Sequence, residues 1–522
     1  MSEDQDKPGA ARPKAAPGAD GVTNRHVARG LGTTLISRMG GIIEIVAQPL
    51  YVALYGLASF GLYSVIWAVI NLFENVFDLG MTSALQRTVP QAEDDQAAVA
   101  CLRTALLVGV GCCLIVAIIC IMAADPLASY LNVAATDRDL VAPSIRLFAM
   151  ALPLWAFVEI ATSALRARHL FGAEIRLRII WEQVIRLVLA VILWMAGFGL
   201  TGLFIAHLVS LGITAVLSVR LLARHYDLSL LARGPWFGAE SGETIKAGLA
   251  VLPANGLARL FGDAPTLVLN LILPGAAGAS AAALFTIGRK IASVVQLVRT
   301  AFAYVLAPLA SSAKRHDAST VQGLYAYSTR LITVIVLPVA FVISAGLLPI
   351  LALFGPEART ARLAVIILIA GRAVEAIVGA SVPVQQVVSS YVRQIYASAA
   401  GFVIACIAGW WLVRWDPLAG ITSAVAIGIV AAAYIPLMQL WHYDRLQPFD
   451  RRFPRLLAIA LLCGLAGMAI ALPLAELPNW IALPLLLPVL LAATWCSLKF
   501  ALPHEDHVAL GKTGRKLRLT RQ

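Results

Sequence analysis

The sequence predicts an all-helical, polytopic membrane protein of ~14 transmembrane helices, and three observations support that fold class. Of the 522 residues, 60% are hydrophobic and only 13% are charged, about half the charged share of a soluble domain. The apolar residues form long runs that match the roughly 20 residues a spanning helix needs. The basic residues lie between those runs, where topology signals are found. This composition excludes collagen-like, disulfide-stapled and disordered chains.

The first thirty residues contain no apolar stretch and mix basic and acidic residues with proline, glycine and alanine. They are not a signal peptide, and we expect a flexible cytoplasmic tail over 1–30. Fourteen apolar segments follow, several of them interrupted by proline or glycine, which membrane helices tolerate when neighbours satisfy the freed carbonyls. The predicted spans, numbered 1 to 14, are 31–56, 59–83, 103–124, 141–165, 179–198, 202–222, 248–272, 282–309, 330–353, 363–389, 394–413, 418–441, 456–474 and 480–499.

The loops between these spans test the count and give the orientation. Alternate loops, beginning with the amino-terminal tail, carry 29 Lys and Arg residues on one side and 4 on the other. Because cytoplasmic loops carry the Lys/Arg excess, both termini are predicted to be cytoplasmic. A single missed or wrongly added helix would exchange the inner and outer loops after it and destroy this asymmetry, so the asymmetry supports the count. The longest outer loop, about 125–140, is too short for a catalytic domain, so we expect no enzymatic activity.

Three other classes of site are disfavoured. The seven cysteines form no CxxC motif and no Cys/His cluster, so neither a disulfide framework nor a metal site is expected. Gly511-Lys512-Thr513 resembles the end of a phosphate-binding loop but lacks its first glycine and preceding strand. A basic tail over 500–522 that meets anionic lipid headgroups is the simpler interpretation. The net charge of +12 is scattered rather than gathered on one face, which argues against nucleic acid. No cofactor is expected.

A short internal repeat predicts two lobes. Arg38-Met-Gly-Gly41 followed by Gly61-Leu-Tyr-Ser-Val65 corresponds to Arg259-Leu-Phe-Gly262 followed by Ala283-Leu-Phe-Thr-Ile287. Six spans separate the copies, so both would have the same orientation, with a pseudo-two-fold axis along the membrane normal. The predicted units are an amino-terminal lobe (31–222), a cytoplasmic connector (223–247), a carboxy-terminal lobe (248–441), an appended helix pair (456–499) and the basic tail.

Charged residues inside the spans are the candidate functional groups, because each costs about 3 kcal/mol or more at the bilayer centre unless it faces water or a partner. Glu182 with Arg186, and Arg372 with Glu375, are spaced to form structural ion pairs within one helix. Arg146, and at least one of Arg289 and Lys290, lie where snorkelling outward is possible. The basic residues within spans are Arg38, Arg146, Arg186, Arg259, Arg289, Lys290, Arg299 and Arg372, and the acids include Glu44, Glu74, Asp78, Glu159, Glu182, Asp263 and Glu375.

The middle of spans 1, 2, 7 and 8 is the predicted site. Arg259 and Asp263 form a candidate pair in span 7, and Arg299 lies at the middle of span 8. The repeat alignment sets Glu74 and Asp78 opposite Gln296 and Thr300, which predicts an acidic wall on the first lobe and a basic wall on the second. A basic wall attracts a phosphate group. The candidate substrate-binding residues are Arg38, Arg259, Arg299 and Arg289, and the candidate ion-coupling residues are Glu44, Asp78 and Asp263.

The first hundred residues resemble a bacterial polysaccharide flippase, through Arg38 in a glycine-rich first span, Gly61-Leu-Tyr63, Asp78-Leu-Gly80 and Arg87. Fourteen spans with a final pair resemble the O-antigen and exopolysaccharide branch of the multidrug/oligosaccharidyl-lipid/polysaccharide (MOP) exporter superfamily. The resemblance implies a two-lobed, alternating-access transporter in the bacterial inner membrane. Its substrate would be a polyprenyl-pyrophosphate-linked oligosaccharide, moved from the inner to the outer leaflet. It also implies arginine contacts with the pyrophosphate, at positions that Arg38, Arg259 and Arg299 match by helix and depth.

Two alternatives remain open from the sequence. A cation-coupled multidrug exporter of the same superfamily would prefer acidic and aromatic cavity walls. A membrane-embedded polysaccharide polymerase or ligase would need a large outer loop. The expected partners are the lipid-linked oligosaccharide, H⁺ or Na⁺, membrane lipids and other polysaccharide-assembly proteins.

Overall fold

A computed structural model describes residues 41–168, 170, 177, 180–233, 238–314, 318–389, 391–510, 514, 517 and 519. For 41–46, 232, 239, 304–314, 318, 319, 387 and 391, only the backbone is described. All regular elements in these ranges are helices. They are α1 Gly41–Tyr55, α2 Leu57–Phe77, α3 Met81–Thr88, α4 Asp95–Ala105, α5 Gly111–Met122, α6 Ala124–Tyr130, α7 Val141–Ala149, α8 Ala151–Ala167, α9 Glu182–Met195, α10 Gly199–Leu222, α11 Leu228–Arg233, α12 Ala239–Ile272, α13 Gly275–Lys314, α14 Ala318–Ala345, α15 Leu347–Ala352, α16 Arg362–Val378, α17 Ser381–Val388, α18 Tyr391–Leu412, α19 Pro417–Asp444, α20 Phe453–Leu474, α21 Asn479–Ala501 and α22 His504–Ala509.

Over the residues that the structure describes, each predicted span overlaps one or more of these helices, and 31–40 of span 1 lie outside those residues. Within the described residues, ten helical segments are long and apolar enough to cross a membrane. Four predicted spans are not among the ten: α1, α9, the charged and proline-containing α12, and span 10, which divides into α16 and α17 at Gly379. The chain is therefore a multi-pass membrane protein, and the count of fourteen spans stays a prediction.

Two lobes lie on either side of a central cavity, and α2 of the first lobe packs against α12 and α13 of the second. Glycine residues allow the closest approaches between helices of the two lobes. A Cβ atom at Gly61 would overlap the carbonyl oxygen of Ala279, and one at Gly80 would overlap that of Gly248. Gly61 lies near the start of α2 and Gly80 follows its last residue, Phe77, so most of the helix separates them, about 24 Å at 1.5 Å per residue. The lobes therefore touch at both ends of the bundle.

The break between α2 and α3 is capped by the carboxylate of Asp78. Its Oδ1 accepts the backbone N–H of Gly80 at 2.5 Å, and its Oδ2 accepts that of Thr82 at 3.1 Å. Leu79 and Gly80 both have positive φ, 53° and 74°, which brings the chain around sharply before α3 begins. Asp78 thus satisfies N–H groups that a helix start leaves without intrahelical partners.

The last two long helices, α20 and α21, pack against α14 of the second lobe. Gly464 lies against Phe341, and Gly467 lies against Val342 and Ala493, so small residues bring these helices close together. Below them, α22 is held by Asp506, whose carboxylate accepts Nε and Nη2 of Arg330 at 2.7 and 2.9 Å. The predicted basic tail is therefore anchored to α14 over the part that the structure describes.

Candidate functional site: a basic cavity between the lobes

A cavity of about 500 Å³ lies between the two lobes, which is within the size range of small-molecule sites. The first lobe contributes side chains from α1, α2 and α9. The second contributes side chains from α12, α13 and α16 to α19. The cavity therefore lies where the internal repeat predicts a site, on the seam between the lobes.

The described lining carries six basic side chains and two acidic ones, an excess of four positive charges. Five of the six basic groups belong to the second lobe, and Arg186 of the first lobe is the sixth. The basic lining residues are Arg186, Arg259, Arg289, Lys290, Arg299 and Arg372, and the acidic ones are Asp263 and Glu375. The excess positive charge makes this cavity suited to an anion, and guanidinium groups favour phosphate oxygens.

Asp263 pairs with Arg289 of α13, and not with Arg259 as the spacing in span 7 predicts. Asp263 Oδ1 lies 2.8 Å from Arg289 Nη1, and the same nitrogen donates to the carbonyl oxygen of Gly262 at 2.6 Å. Asp263 is 3% exposed. Of Arg289 and Lys290, for which the sequence allows outward snorkelling by at least one, Arg289 is held at the cavity by this buried carboxylate on the neighbouring helix.

Glu375 lies between two arginines. Its Oε2 is 2.8 Å from Arg372 Nη1, within the same helix, and its Oε1 is 3.0 Å from Arg299 Nη2 on α13. The sequence indicates the first pair; only the fold adds the second. One carboxylate shared by two guanidinium groups leaves both arginines able to accept a second anion. This triad lies in the cavity lining.

Arg259 also lines the cavity and is partly exposed to it. Among the residues that the structure describes, no carboxylate lies within ion-pair distance of Arg259. Of the predicted substrate-binding residues, Arg259, Arg289 and Arg299 thus converge on one cavity. Arg38 lies outside the described residues, and so does the side chain of Glu44.

The repeat alignment predicts an acidic wall on the first lobe, but the described part of that wall carries no carboxylate. In its described part it consists of aromatic, amide and hydroxyl side chains together with Arg186. Glu74 and Asp78 do not line the cavity: Glu74 accepts from the amide of Asn75 at 2.8 Å, and Asp78 caps α3. Asp78 therefore lies outside the cavity lining, with its carboxylate oxygens engaged by backbone N–H groups, and its ion-coupling role stays a prediction.

His207 of α10 lies behind this wall and is fully buried. Its Nδ1 is 2.8 Å from the hydroxyl of Tyr63, its Nε2 is 2.9 Å from Nη1 of Arg186, and its ring lies 4.3 Å from that of Trp67. One imidazole thus contacts three residues of the cavity wall. It is the one histidine inside the predicted spans, and that isolation is the signal that points to it in the sequence.

Several solved structures share this fold. The lipid II flippase MurJ in an inward closed conformation superposes with a TM-score of 0.70 at 10% identity, covering 88% of this chain and 98% of that one. A multidrug resistance MATE family transporter of the MOP superfamily gives 0.61 at 18% identity, covering 82% and 95%. A MATE transporter of Vibrio cholerae gives 0.62 at 16% identity, covering 81% and 98%. The fold is therefore the one found in MurJ and in these MATE transporters.

The sequence match is more specific. A family model described as "Polysaccharide biosynthesis protein" matches residues 54–357, more than half of the chain. The protein belongs to this polysaccharide biosynthesis family, which confirms the resemblance noted in the sequence. No curated protein sequence matches the chain.

Proposed function

We propose that this protein is a flippase that moves a polyprenyl-pyrophosphate-linked oligosaccharide from the inner to the outer leaflet of the bacterial inner membrane. The observation that carries the proposal is the cavity with six basic and two acidic side chains on the seam between the lobes. Membership of a polysaccharide biosynthesis family and a fold shared with a lipid II flippase support the same substrate class. The protein carries out no chemical step in this proposal.

The charge balance fits a pyrophosphate linkage. Such a diester carries roughly two negative charges at neutral pH, fewer than the cavity's excess of four positive ones. Arg259 is the first contact for the anion, since no described carboxylate competes for it. Arg299 and Arg372 share a single carboxylate and provide further donors. The prenyl chain stays in the lipid while the polar head occupies the cavity.

Movement follows from the contacts at the two ends of α2. Gly61 against Ala279 and Gly80 against Gly248 close the bundle at opposite ends, and opening one end while keeping the other exposes the cavity to one leaflet at a time. We propose that both termini lie in the cytoplasm, which the Lys/Arg bias of the loops supports. Each ligand shifts this equilibrium only through its differential affinity for the two states.

Asp263 is the proposed coupling group. A phosphate oxygen that binds Arg289 competes with the Asp263 carboxylate for the same guanidinium, which lies 2.8 Å away. Once freed, a carboxylate that is 3% exposed gains stability by taking up a proton or a sodium ion. Glu44 is proposed as a second such group on the first lobe.

The test is a flipping assay in proteoliposomes with a fluorescent, prenyl-pyrophosphate-linked disaccharide. Arg259→Gln should reduce the flipping rate about tenfold or more, because a charge-assisted contact with phosphate is lost. Arg146→Gln is the matched control: Arg146 pairs with the exposed Asp125 outside the cavity, and its loss should leave the rate unchanged. Equal flipping rates for Arg259→Gln and wild-type protein, at equal protein abundance, would contradict the proposed site.

The cationic cavity disfavours the cation-coupled drug exporter, because organic cations would be repelled by its excess positive charge. A transport assay with ethidium distinguishes the two functions. The exporter would be favoured if the wild-type protein did not flip the lipid-linked disaccharide and if Arg259→Gln increased the efflux of ethidium.

A further inference from the structure

We infer that the cavity is divided, and that the wall on the first lobe is a subsite for the sugar joined to the pyrophosphate. This inference rests on the proposed function and adds which part of the substrate each wall recognises. Five of the six basic lining residues belong to the second lobe. Facing them, the first lobe presents Gln48, Tyr63, Trp67 and Asn71, which are side chains suited to a neutral, hydroxyl-rich ring.

Gln48 gives the most direct indication of a ligand. It is 6% exposed and lines the cavity, yet its side-chain oxygen is buried with no hydrogen-bond partner in the described structure. Buried acceptors are normally paired, and one left unpaired costs stability until a ligand or water supplies a donor. Ionised phosphate oxygens are acceptors only, whereas a sugar hydroxyl donates. The chemistry of this oxygen therefore favours the sugar over the pyrophosphate.

Trp67 provides a rigid apolar surface beside that acceptor. The residue is partly exposed and lines the cavity. Behind it lie the rings of His207, Trp155 and Phe148, at centroid distances of 4.3, 5.2 and 5.8 Å. An aromatic ring fixed by its neighbours buries the C–H face of a sugar ring with little loss of side-chain entropy.

Asn71 lies one turn after Trp67 on α2, so the two side chains share a face of the helix. The residue is 7% exposed and lines the cavity. Its amide offers both donors and an acceptor, which matches hydroxyl groups at the edge of a ring packed on Trp67. The cavity volume of about 500 Å³ suits a pyrophosphate with the first sugar, leaving the remaining glycan outside.

The test compares the binding of two kinds of probe to the purified full-length protein in detergent. One is farnesyl pyrophosphate, and the other is farnesyl pyrophosphate linked to a single sugar, taken from N-acetylglucosamine, glucose and galactose. The measured quantity is the sugar preference, the ratio of the dissociation constant of the bare probe to that of the tightest glycosylated probe. We expect a preference of about tenfold or more in the wild-type protein.

Substitutions on the two walls should separate the two contributions. Gln48→Ala and Trp67→Leu should each lower the sugar preference about two- to tenfold, as expected for one lost polar or packing contact, while binding of farnesyl pyrophosphate changes by less than about twofold. Arg259→Gln should weaken both kinds of probe by the same factor and leave the preference unchanged. Trp67→Phe keeps an aromatic ring and should keep most of the preference.

Asn71→Ala and Asn75→Ala form a matched pair. Both change an asparagine of α2, but Asn75 bonds to Glu74 outside the cavity lining, so only Asn71→Ala should lower the preference. This small change keeps the test decisive if Trp67→Leu does not fold.

The outcomes distinguish this inference from the proposed function. Wild-type protein that binds neither kind of probe would overturn both. Wild-type protein that binds all probes equally, with binding still weakened by Arg259→Gln, would overturn the sugar subsite alone. Folded Gln48→Ala and Asn71→Ala variants with the full wild-type preference would do the same.

Discussion

The imidazole of His207 accepts a hydrogen bond from the guanidinium of Arg186, with Nε2 2.9 Å from Nη1. Since arginine has only donors, Nε2 carries the lone pair and Nδ1 holds the proton, which it donates to the hydroxyl of Tyr63 at 2.8 Å. A neutral, fully buried histidine therefore orients two side chains of the cavity wall, one of them cationic.

His207→Gln should retain function while His207→Phe should lose it. Glutamine can accept from Arg186 and donate to Tyr63, whereas phenylalanine leaves a buried guanidinium without that acceptor, at a cost of about 1–3 kcal/mol. We expect a lower melting temperature and a flipping rate reduced about tenfold for His207→Phe. Equal melting and flipping for both variants would contradict a positioning role for the imidazole.

Glu375→Gln should destabilise the second lobe. Removing the carboxylate between Arg299 and Arg372 leaves two guanidinium groups with no counter-charge at that point, and breaking a buried pair costs about 3–5 kcal/mol. The measurement is thermal melting in detergent. Glu357→Gln, at an exposed position in a short helical turn, is the matched control and should melt like the wild-type protein. Recovery of stability in Glu375→Gln/Arg372→Gln would attribute the loss to the uncompensated charge.

Asp263 and Arg289 should be energetically coupled. Residues in direct contact show interaction energies of about 0.5–3 kcal/mol in a double-mutant cycle. The changes in stability caused by Asp263→Asn and Arg289→Gln should therefore not be additive in the double variant. In addition, Asp263→Asn should tighten the binding of farnesyl pyrophosphate, because the carboxylate no longer competes for Arg289. Strictly additive shifts in melting temperature, together with unchanged binding of farnesyl pyrophosphate, would show that this pair is neither coupled nor part of the site.

Separation of α3 from α12 should be needed for transport. Asn255 Nδ2 lies 3.0 Å from Ser83 Oγ, so the variant Ser83→Cys/Asn255→Cys should form a disulfide on mild oxidation and stop flipping until a reductant is added. Because the chain has seven native cysteines, oxidised wild-type protein and both single variants are the controls. Undiminished flipping by the fully cross-linked protein would show that this end does not open.

The site was partly predictable from the sequence. Arg259, Arg289 and Arg299 stand out because a charge within an apolar run is costly unless it faces a cavity, and all three line one. Gln48, Trp67 and Asn71 gave no such signal, since amides and aromatic rings are common in membrane helices. The acidic wall was wrongly predicted because Asp78 answers a local need, the cap of α3, that a repeat alignment does not show.

The sequence by itself determined the membrane class, the positions of the helices and the basic character of the site, because these depend on run length and on which charges interrupt the runs. Only the tertiary structure decided which charged side chains form ion pairs. Asp263 lies one helical turn from Arg259 but pairs with Arg289, 26 positions away, and Glu375 acquires Arg299 from another helix. The physical reason is that helix packing, and not spacing along the chain, sets which side chains of neighbouring helices meet within the second lobe.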